Sequence, residues 1–425
     1  MNKREKKKHA AAAEQKSAEQ CSHVWQPFRD TRIIFGITGG IAAFRAADYA
    51  RRLCKEGAEI TPVLTENGAR FISPLTLSAL TGKDCMMDMF HHQKGEAGIP
   101  HIDIPKRAHI FVVLPATANF LARAANGMAD DLLTTMLLAF QGPVIIFPSM
   151  NPAMYTHPAT MNNMKRLAEL GYQVVDAESG EVACGDRGPG RLPGFETVHF
   201  QLRKAITCQT LKEKRVLVTA GPTREPIDPV RYISNRSSGR MGYAVAAEAA
   251  VRGAEVTVVT GPTTLPPPSG VRCIRVETAQ EMAEQVLGLQ KEMDIIVMAA
   301  AVADYTPERQ EPSKIKKSGE KISLSLKRTQ DILSALGKQV APGQILVGFC
   351  AETENLVENA RKKLFAKGIH LIVGNNVLED GAGFDKDTNK VIILDREENL
   401  TELPVLPKEE VADAIWHKVQ ELISA

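Results

Sequence analysis

RVLVTAGPTREPIDPVRYISNRSSGRMG, running from Arg215 to Gly242, opens as an apolar strand, passes into a long polar loop and only then enters a helix. Structureless connections beyond about 12 to 15 residues are uncommon in compact domains unless they are functional or disordered. The composition speaks against disorder. Pro222, Pro226 and Pro229 stiffen the backbone, and Arg224 and Arg231 can clamp a carboxylate or phosphate. Ser237, Ser238, Gly239 and Gly242 offer backbone and hydroxyl donors to an anion where the helix starts.

Around this stretch, apolar runs alternate with segments of helical period. RIIFGIT, AEITPVLT, HIFVVLP, PVIIFPSM and YQVVDA precede it, while AEVTVVTG, DIIVMAAAV, ILVGFCAE and HLIVGNN follow, with helices such as 242–252 and 356–367 between them. Alternation of this kind builds parallel sheets, so two doubly wound, Rossmann-like α/β domains are expected. The polar segment 205–214 separates them, with the boundary near Gln209. The chain is thus divided into a disordered tail (1–28), a first domain (29–208) and a second (209–425). LPPPSG at 265–270 is expected as a stiff loop on the far side of the second sheet. KIKKSGEKISLSLK, Lys314 to Lys327, alternates basic and apolar residues about a Ser-Gly turn, as a hairpin lid over a nucleotide site would.

The 425 residues carry 52 basic against 50 acidic side chains, and six Lys or Arg fall in the first twenty residues, which leaves the remainder close to neutral. That balance argues against a nucleic-acid platform. Seven scattered cysteines, never spaced C-x-x-C, read as reduced thiols of a cytoplasmic protein. No secretory h-region and no apolar run of about 18 residues occurs, so no membrane partner is expected.

In the first half, a strand ends in Thr38-Gly39-Gly40 and a helix opens after it, leaving free N–H groups for a phosphate. Gly36, Gly39 and Gly40 do not fall at dinucleotide spacing, which favours a mononucleotide over NAD. Three further segments are specific: PHIDIPKRAH with LPATANFLARAANGMADDLL, FPSMNPAMY, and SGEVACGDRGPGR. Together they resemble the flavin-dependent cysteine decarboxylases, specifically the phosphopantothenoylcysteine decarboxylases, over most of residues 30–200.

That resemblance implies a flavodoxin-like flavoprotein holding FMN, with the phosphate at Gly39 and Gly40 and with Thr65, Thr117 and Asn119 as further contacts. It also implies three catalytic residues. His101, taken as standing at a strand end, positions or deprotonates the reacting group. Asn151 binds the departing carboxylate, and Cys184, in a glycine-rich flap, donates the final proton. The chemistry explains why an electron sink is needed, since loss of a cysteine carboxylate leaves an unstable carbanion. The resemblance implies oxidation of the thiol-bearing carbon to a thioaldehyde, loss of CO2 to an enethiolate, and reduction to product. The chain departs from the family at Tyr155, where tryptophan is common, at Ser149 for alanine, and at His109 for aspartate.

The opening loop, followed by AAAVADY (299–305), KIKK (314–317), VGFCAET (347–353) and VGNNV (373–377), resembles the phosphopantothenate-cysteine ligases over nearly all of residues 212–425. A free carboxylate resists attack by an amine, so a nucleotide must activate it by acyl transfer to the α-phosphate. Lysines and Mg2+ stabilise the charge that builds there. By this resemblance Lys314 serves that phosphate and Asn235 binds the acyl-nucleotide intermediate. Ser237, Gly239, Gly242, Asp304, Thr329, Gln330, Asp331, Ile332, Phe349, Lys363 and Lys367 contact the nucleotide. Arg231, Ala300, Ala301 and Asp304 contact the substrate, Arg231 reaching across to a partner subunit's phosphate. In TQDIL (329–333) the family often places a proline before the aspartate.

Joined in one chain, the two resemblances imply a bifunctional enzyme of coenzyme A biosynthesis using 4'-phosphopantothenate, cysteine and CTP. Fusion favours CTP, while the residues alone leave CTP and ATP open; the Mg2+ ligands are unknown. Decarboxylase trimers joined by ligase dimers are implied as the homo-oligomer. Two rival readings carry sequence requirements of their own. An NAD-dependent dehydrogenase with a catalytic cysteine requires a complete dinucleotide fingerprint, and a regulatory flavoprotein without turnover should lack Cys184 or Asn151.

Overall fold

Strands β1 (Arg32–Ile37), β2 (Glu59–Leu64), β3 (Ile110–Ala116), β4 (Val144–Pro148) and β5 (Gln173–Val174) pair in the order β2-β1-β3-β4-β5. All are parallel. They form the first of two units, which divide between Thr207 and Cys208. The computed structural model describes residues 25–90, 99–316, 323–376 and 386–424. The lysine Lys317, the Ser318-Gly319 turn, Val377 and most of the expected tail therefore lie outside the described residues.

Every residue of β3 is buried, as a central parallel strand covered on both faces requires. One face carries α1 (Ala43–Lys55), which lays Ala43, Ala46, Ala47, Ala50 and Leu53 on the sheet at helical spacing. Small side chains let that helix sit close. The opposite face carries α2 (Ala118–Ala125) and α3 (Leu132–Ala139), the latter started by a reciprocal Asp131–Thr134 capping box. Phe28 is fully buried in the first core, edge-on to His199, so residue 28, expected in the tail, packs with the first unit. After β5, β6 (Glu178–Glu181) and β7 (Arg187–Arg191) form an antiparallel hairpin.

The second unit contains β8 (Arg215–Ala220), β9 (Arg224–Pro226), β10 (Tyr232–Ser234), β11 (Glu255–Thr260), β12 (Val271–Arg275), β13 (Ile295–Met298) and β14 (Tyr305–Pro307). It continues with β15 (Leu326–Arg328), β16 (Ile345–Glu352), β17 (Leu371–Asn376), β18 (Thr388–Asn389), β19 (Val391–Asp395) and β20 (Leu400–Glu402). Its sheet runs β12-β11-β8-β13-β16-β17-β19-β20. The first six strands are parallel, in the doubly wound order 3-2-1-4-5-6 when counted within the sheet, and the last two are antiparallel. Both units thus have the expected parallel-sheet architecture.

Four details differ from expectation. The opening loop is not structureless, because β9 and β10 pair within it. Its helix, α4, spans Arg240–Val251 and so begins before Gly242. Lys327 pairs with Thr306 rather than with the Lys314 arm, because β15 runs antiparallel to β14. The proline-rich segment links the two edges of the sheet. It leaves the carboxyl edge, where the Thr263 hydroxyl donates to the Ser238 carbonyl, and returns to the amino edge, where Val271 pairs with Val256. The last helix, α5 (Lys408–Ser424), packs on α4, and its fully buried Trp416 donates to the Val245 carbonyl at 2.9 Å.

Candidate active sites

In the first unit the strand order reverses between β1 and β3, where open α/β sheets bind ligands at their carboxyl ends. Buried Thr38 ties these two ends together: its hydroxyl donates to the Pro115 carbonyl at 2.7 Å and accepts the Thr117 N–H at 3.0 Å. A Cβ on Gly39 would meet the Asn67 Cβ at 2.6 Å, so the turn tolerates only glycine there. On Gly40 it would meet nothing nearer than Thr117 Cγ2 at 3.8 Å, leaving that side open. Thr65 follows β2 and caps a local turn, accepting the Gly68 N–H at 3.1 Å. Thr117 caps α2 by accepting the Phe120 N–H, and Asn119 is exposed in the first turn, with no side-chain hydrogen bond among the described residues. All five positions expected to hold FMN therefore lie along one sheet edge.

Asn151 follows β4 and caps a short helix (Pro152–Tyr155), its side-chain oxygen accepting the Ala153 N–H at 2.9 Å. Cys184 sits in the turn of the β6–β7 hairpin, exposed, with Sγ 3.3 Å from Asn151 Nδ2. Asp186, which sequence reasoning missed although it lies two residues beyond Cys184, accepts from both. The hairpin is docked at its base: the Ser149 hydroxyl and Met150 N–H both donate to the Gly190 carbonyl. Any side chain at Gly190, whose φ is 135°, would run into the Met150 carbonyl.

The family departures thus acquire local roles. Ser149 anchors the hairpin. The Tyr155 phenol accepts the Ala177 N–H at 3.2 Å just before it, and burial pushes that phenol's pKa up. His109 is spent at the amino edge, where its Nδ1 accepts the Arg32 N–H. His101 is corrected from a strand end to the first turn of a helix (Pro100–Arg107), with its Nδ1 buried and, among the described residues, without a hydrogen-bond partner. No described contact joins it to Asn151 or Cys184.

The second unit holds a cavity of about 770 Å³ at the carboxyl ends of β8, β13 and β16. Its wall brings together Asn235, Ser237, Gly239, Gly242, Ala300, Ala301, Asp304, Thr329, Gln330, Asp331, Ile332, Phe349, Lys363 and Lys367. Asn235 Nδ2 donates to the Val302 carbonyl at 2.9 Å. Gly239 has φ of 81°, and the Ser237 hydroxyl accepts its N–H, bending the chain into α4. Gly242 lets α4 lie against β8, since a Cβ there would be 2.7 Å from the Ala220 Cβ and 2.8 Å from the Thr219 carbonyl oxygen.

Two expected residues, Arg231 and Lys314, do not line this cavity. Arg231 is held by Asp228 at 2.9 Å, and Lys314 is exposed beside it. Arg224 lies over the Tyr232 ring, 4.6 Å from its centre. Asp331 caps Ser334 and pairs with Lys367; although burial raises its pKa, those partners outweigh it and hold the carboxyl below the usual range. Buried Cys350 also lines the wall, its thiol pushed up to about 11, so it is protonated packing rather than a nucleophile at neutral pH.

Sequence reasoning missed Asn389. It lines the cavity with its side-chain oxygen buried and, among the described residues, unpartnered, on a segment that the buried Lys408 holds through the Thr388 carbonyl. Its only signal was position beyond the quoted motifs.

Residues 211–423 match the family of DNA/pantothenate metabolism flavoprotein C-terminal domains, and residues 23–207 match the flavoprotein family. Across 394 residues the chain is 43% identical to the coenzyme A biosynthesis bifunctional protein CoaBC of Bacillus subtilis (strain 168), covering 92% of this chain and 97% of that one. The CoaBC protein of Escherichia coli (strain K12) is 40% identical over 389 residues, with coverage of 88% and 95%. The chain belongs to the CoaBC family. A crystal structure of the C-terminal domain of a CoaBC protein is 41% identical, with a TM-score of 0.44, and covers 51% of this chain and 98% of its own.

As a CoaBC enzyme the chain is bifunctional, a phosphopantothenoylcysteine synthetase and decarboxylase of coenzyme A biosynthesis that works on small molecules. Among the described residues no group of three or more His, Cys, Asp or Glu side chains could hold a metal ion, and no helix is long and apolar enough to cross a membrane.

Proposed function

We propose that the second unit (209–425) joins cysteine to 4'-phosphopantothenate at the expense of CTP, and that the first (29–208) uses FMN to decarboxylate the product to 4'-phosphopantetheine in the cytoplasm. The observation that carries the ligase half is a cavity in which a helix start, Asn235, Asp304 and two lysines converge. The substrate carboxylate attacks the α-phosphorus and expels pyrophosphate, forming an acyl-cytidylate. The amine of cysteine then attacks the acyl carbon and expels CMP. The free N–H groups of α4 and the ammonium groups of Lys363 and Lys367 offset the phosphate charge.

Asn235 presents its amide to the acyl group, and the Asn389 oxygen offers a buried acceptor for a ligand N–H. Lys314, exposed outside the cavity wall, is the cation that kinship assigns to the attacked phosphorus. Mg2+ fits as a companion of the triphosphate, since such ions keep several waters and take only one or two protein carboxylates. The choice of CTP rests on kinship with fused enzymes.

For the first unit, the open side of Gly40 and the unengaged Asn119 fit a flavin phosphate at the β1–β3 switch point. When bound, flavin supplies the electron sink that lets a cysteine carboxylate leave. The residues do the rest. Asn151 holds the carboxylate, the unpartnered Nδ1 of His101 is available to the reacting thiol, and Cys184 donates a proton to carbon. Exposed Ile41 and Phe44 beside the Gly40 turn, with Leu75 on the adjoining helix, support a subunit border at this site. Kinship with the family supports trimers of the first unit joined by dimers of the second.

Absorbance spectra of the purified protein, combined with pyrophosphate release in CTP and in ATP, test both halves. A yellow protein that prefers CTP is expected. Colourless protein that leaves CTP intact with both acceptors present would overturn the proposal.

A further inference from the structure

The Asn151 amide can face the hairpin in only one way. Its oxygen is committed to the Ala153 N–H at 2.9 Å, so its nitrogen points toward the β6–β7 turn. That nitrogen donates to Asp186 Oδ2 at 2.6 Å, and the Cys184 thiol donates to the same oxygen at 3.3 Å. Asp186 thus puts a carboxylate on the donor that, under the decarboxylase reading on which this inference rests, must hold the substrate's carboxylate. One amide nitrogen cannot serve both without bringing two negative charges together. Both Cys184 and Asp186 are exposed, so the protein's own carboxylate is displaceable.

We propose that Asp186 is a placeholder carboxylate that orders the two halves of the decarboxylation. The incoming substrate carboxylate displaces Asp186 from Asn151 and carries Cys184 away with it, so no proton donor stands at the reacting carbon while the carboxylate is present. When the C–C bond breaks, its electron pair stays on the substrate as the enethiolate and CO2 leaves uncharged. The Asn151 amide is then without an acceptor. Asp186 returns to it, bringing the thiol to the place the carboxylate occupied, beside the carbon that must be protonated. The Cys184 proton forms the new C–H bond and solvent reprotonates the thiolate; the redox half, supplied by the proposed flavin, cancels over the cycle. Asp186 is therefore a positioning residue, acting through Asn151 and Cys184.

The test uses full-length, flavin-loaded protein and two unreactive probes with a hydroxyl in place of the thiol: the serine analogue of the substrate and its decarboxylated counterpart. In Asp186→Asn the carboxylate-bearing probe should bind about fivefold more tightly, as when a charge-assisted contact no longer competes, while the decarboxylated probe is unchanged. Asp186→Glu, which keeps the charge, should return the ratio of the two affinities toward the wild-type value. In a single turnover of true substrate, with enzyme in excess, Asp186→Asn should release CO2 at close to the wild-type rate while thiol product appears about tenfold more slowly, within the usual worth of a positioned proton donor.

Equal changes in both probes, or thiol formation at the wild-type rate, would overturn the proposal. Wild-type protein that releases no CO2 from phosphopantothenoylcysteine would overturn the decarboxylase reading itself, and the placeholder role with it.

Discussion

Asp228 accepts the Ile315 N–H at 3.1 Å, and so moors the residue next to Lys314 to the loop that carries Asn235. The carboxylate is shielded from solvent and also accepts the Val230 N–H at 2.7 Å, the Arg231 N–H at 2.9 Å and the Arg231 guanidinium at 2.9 Å. Arg231, expected to reach the phosphate of a partner subunit's substrate, donates also to the Ile315 carbonyl at 3.3 Å.

Replacing Asp228 with alanine strips several N–H groups of their acceptor and frees the Lys314 arm. Ligation should fall about 10- to 100-fold, the scale of a small misplacement in a reacting geometry, while decarboxylation is spared. Pyrophosphate and CO2 release measured on one preparation check this. Equal loss of both would mean general unfolding.

Acid should weaken the second unit through three groups. Burial, with help from Arg396, holds the His370 pKa below its usual value, and its Nδ1 accepts the Leu346 N–H at 3.0 Å. Asp228 and Asp331 are also lowered, the hydrogen bonds and cations around them outweighing burial. A group with a depressed folded value contributes in full above its unfolded value and loses that contribution as pH falls through the folded one. Stability should therefore decline first below about pH 6.5, from His370, and again below about pH 4, from the aspartates. Urea midpoints between pH 4 and 8 should show the first slope, at most about 1.4 kcal/mol per pH unit for one proton, and His370→Gln should flatten it.

Asn235→Asp swaps the amide that donates to the Val302 carbonyl for a carboxylate facing two carbonyl oxygens. Loss of one oriented donor costs about 100- to 1,000-fold in comparable sites, so ligation should fall by that order while CO2 release from supplied phosphopantothenoylcysteine persists. Decarboxylation lost in step with ligation would count against separate sites.

Gly242→Ala drives a methyl group into the Ala220 side chain and the Thr219 carbonyl. Overpacking of this kind costs about 1 to 3 kcal/mol, readable as a lower denaturation midpoint of the second unit. The lifted helix start should also weaken nucleotide binding, measured by calorimetry.

Alternating apolar runs determined that both halves would be parallel sheets, because periodicity reports which faces of an element are buried and crossovers place helices on those faces. The same logic put Gly39, Gly40, Ser237 and Gly239 at carboxyl edges, since each lies where a strand ends or a helix opens. The chain's motifs likewise carried the family. Tertiary structure alone decided which polar groups meet. Asp228 and Ile315 are 87 residues apart, and nothing local marks Arg231 as held by Asp228, Lys314 as standing off the cavity, or Tyr305–Pro307 as the partner of β15. Asp186 sits in the quoted CGD motif, yet its carboxylate gains meaning only where β4 and the hairpin bring it onto Asn151. Hydrophobic pattern is a property of one segment, whereas a hydrogen bond between distant side chains depends on how several segments pack at once.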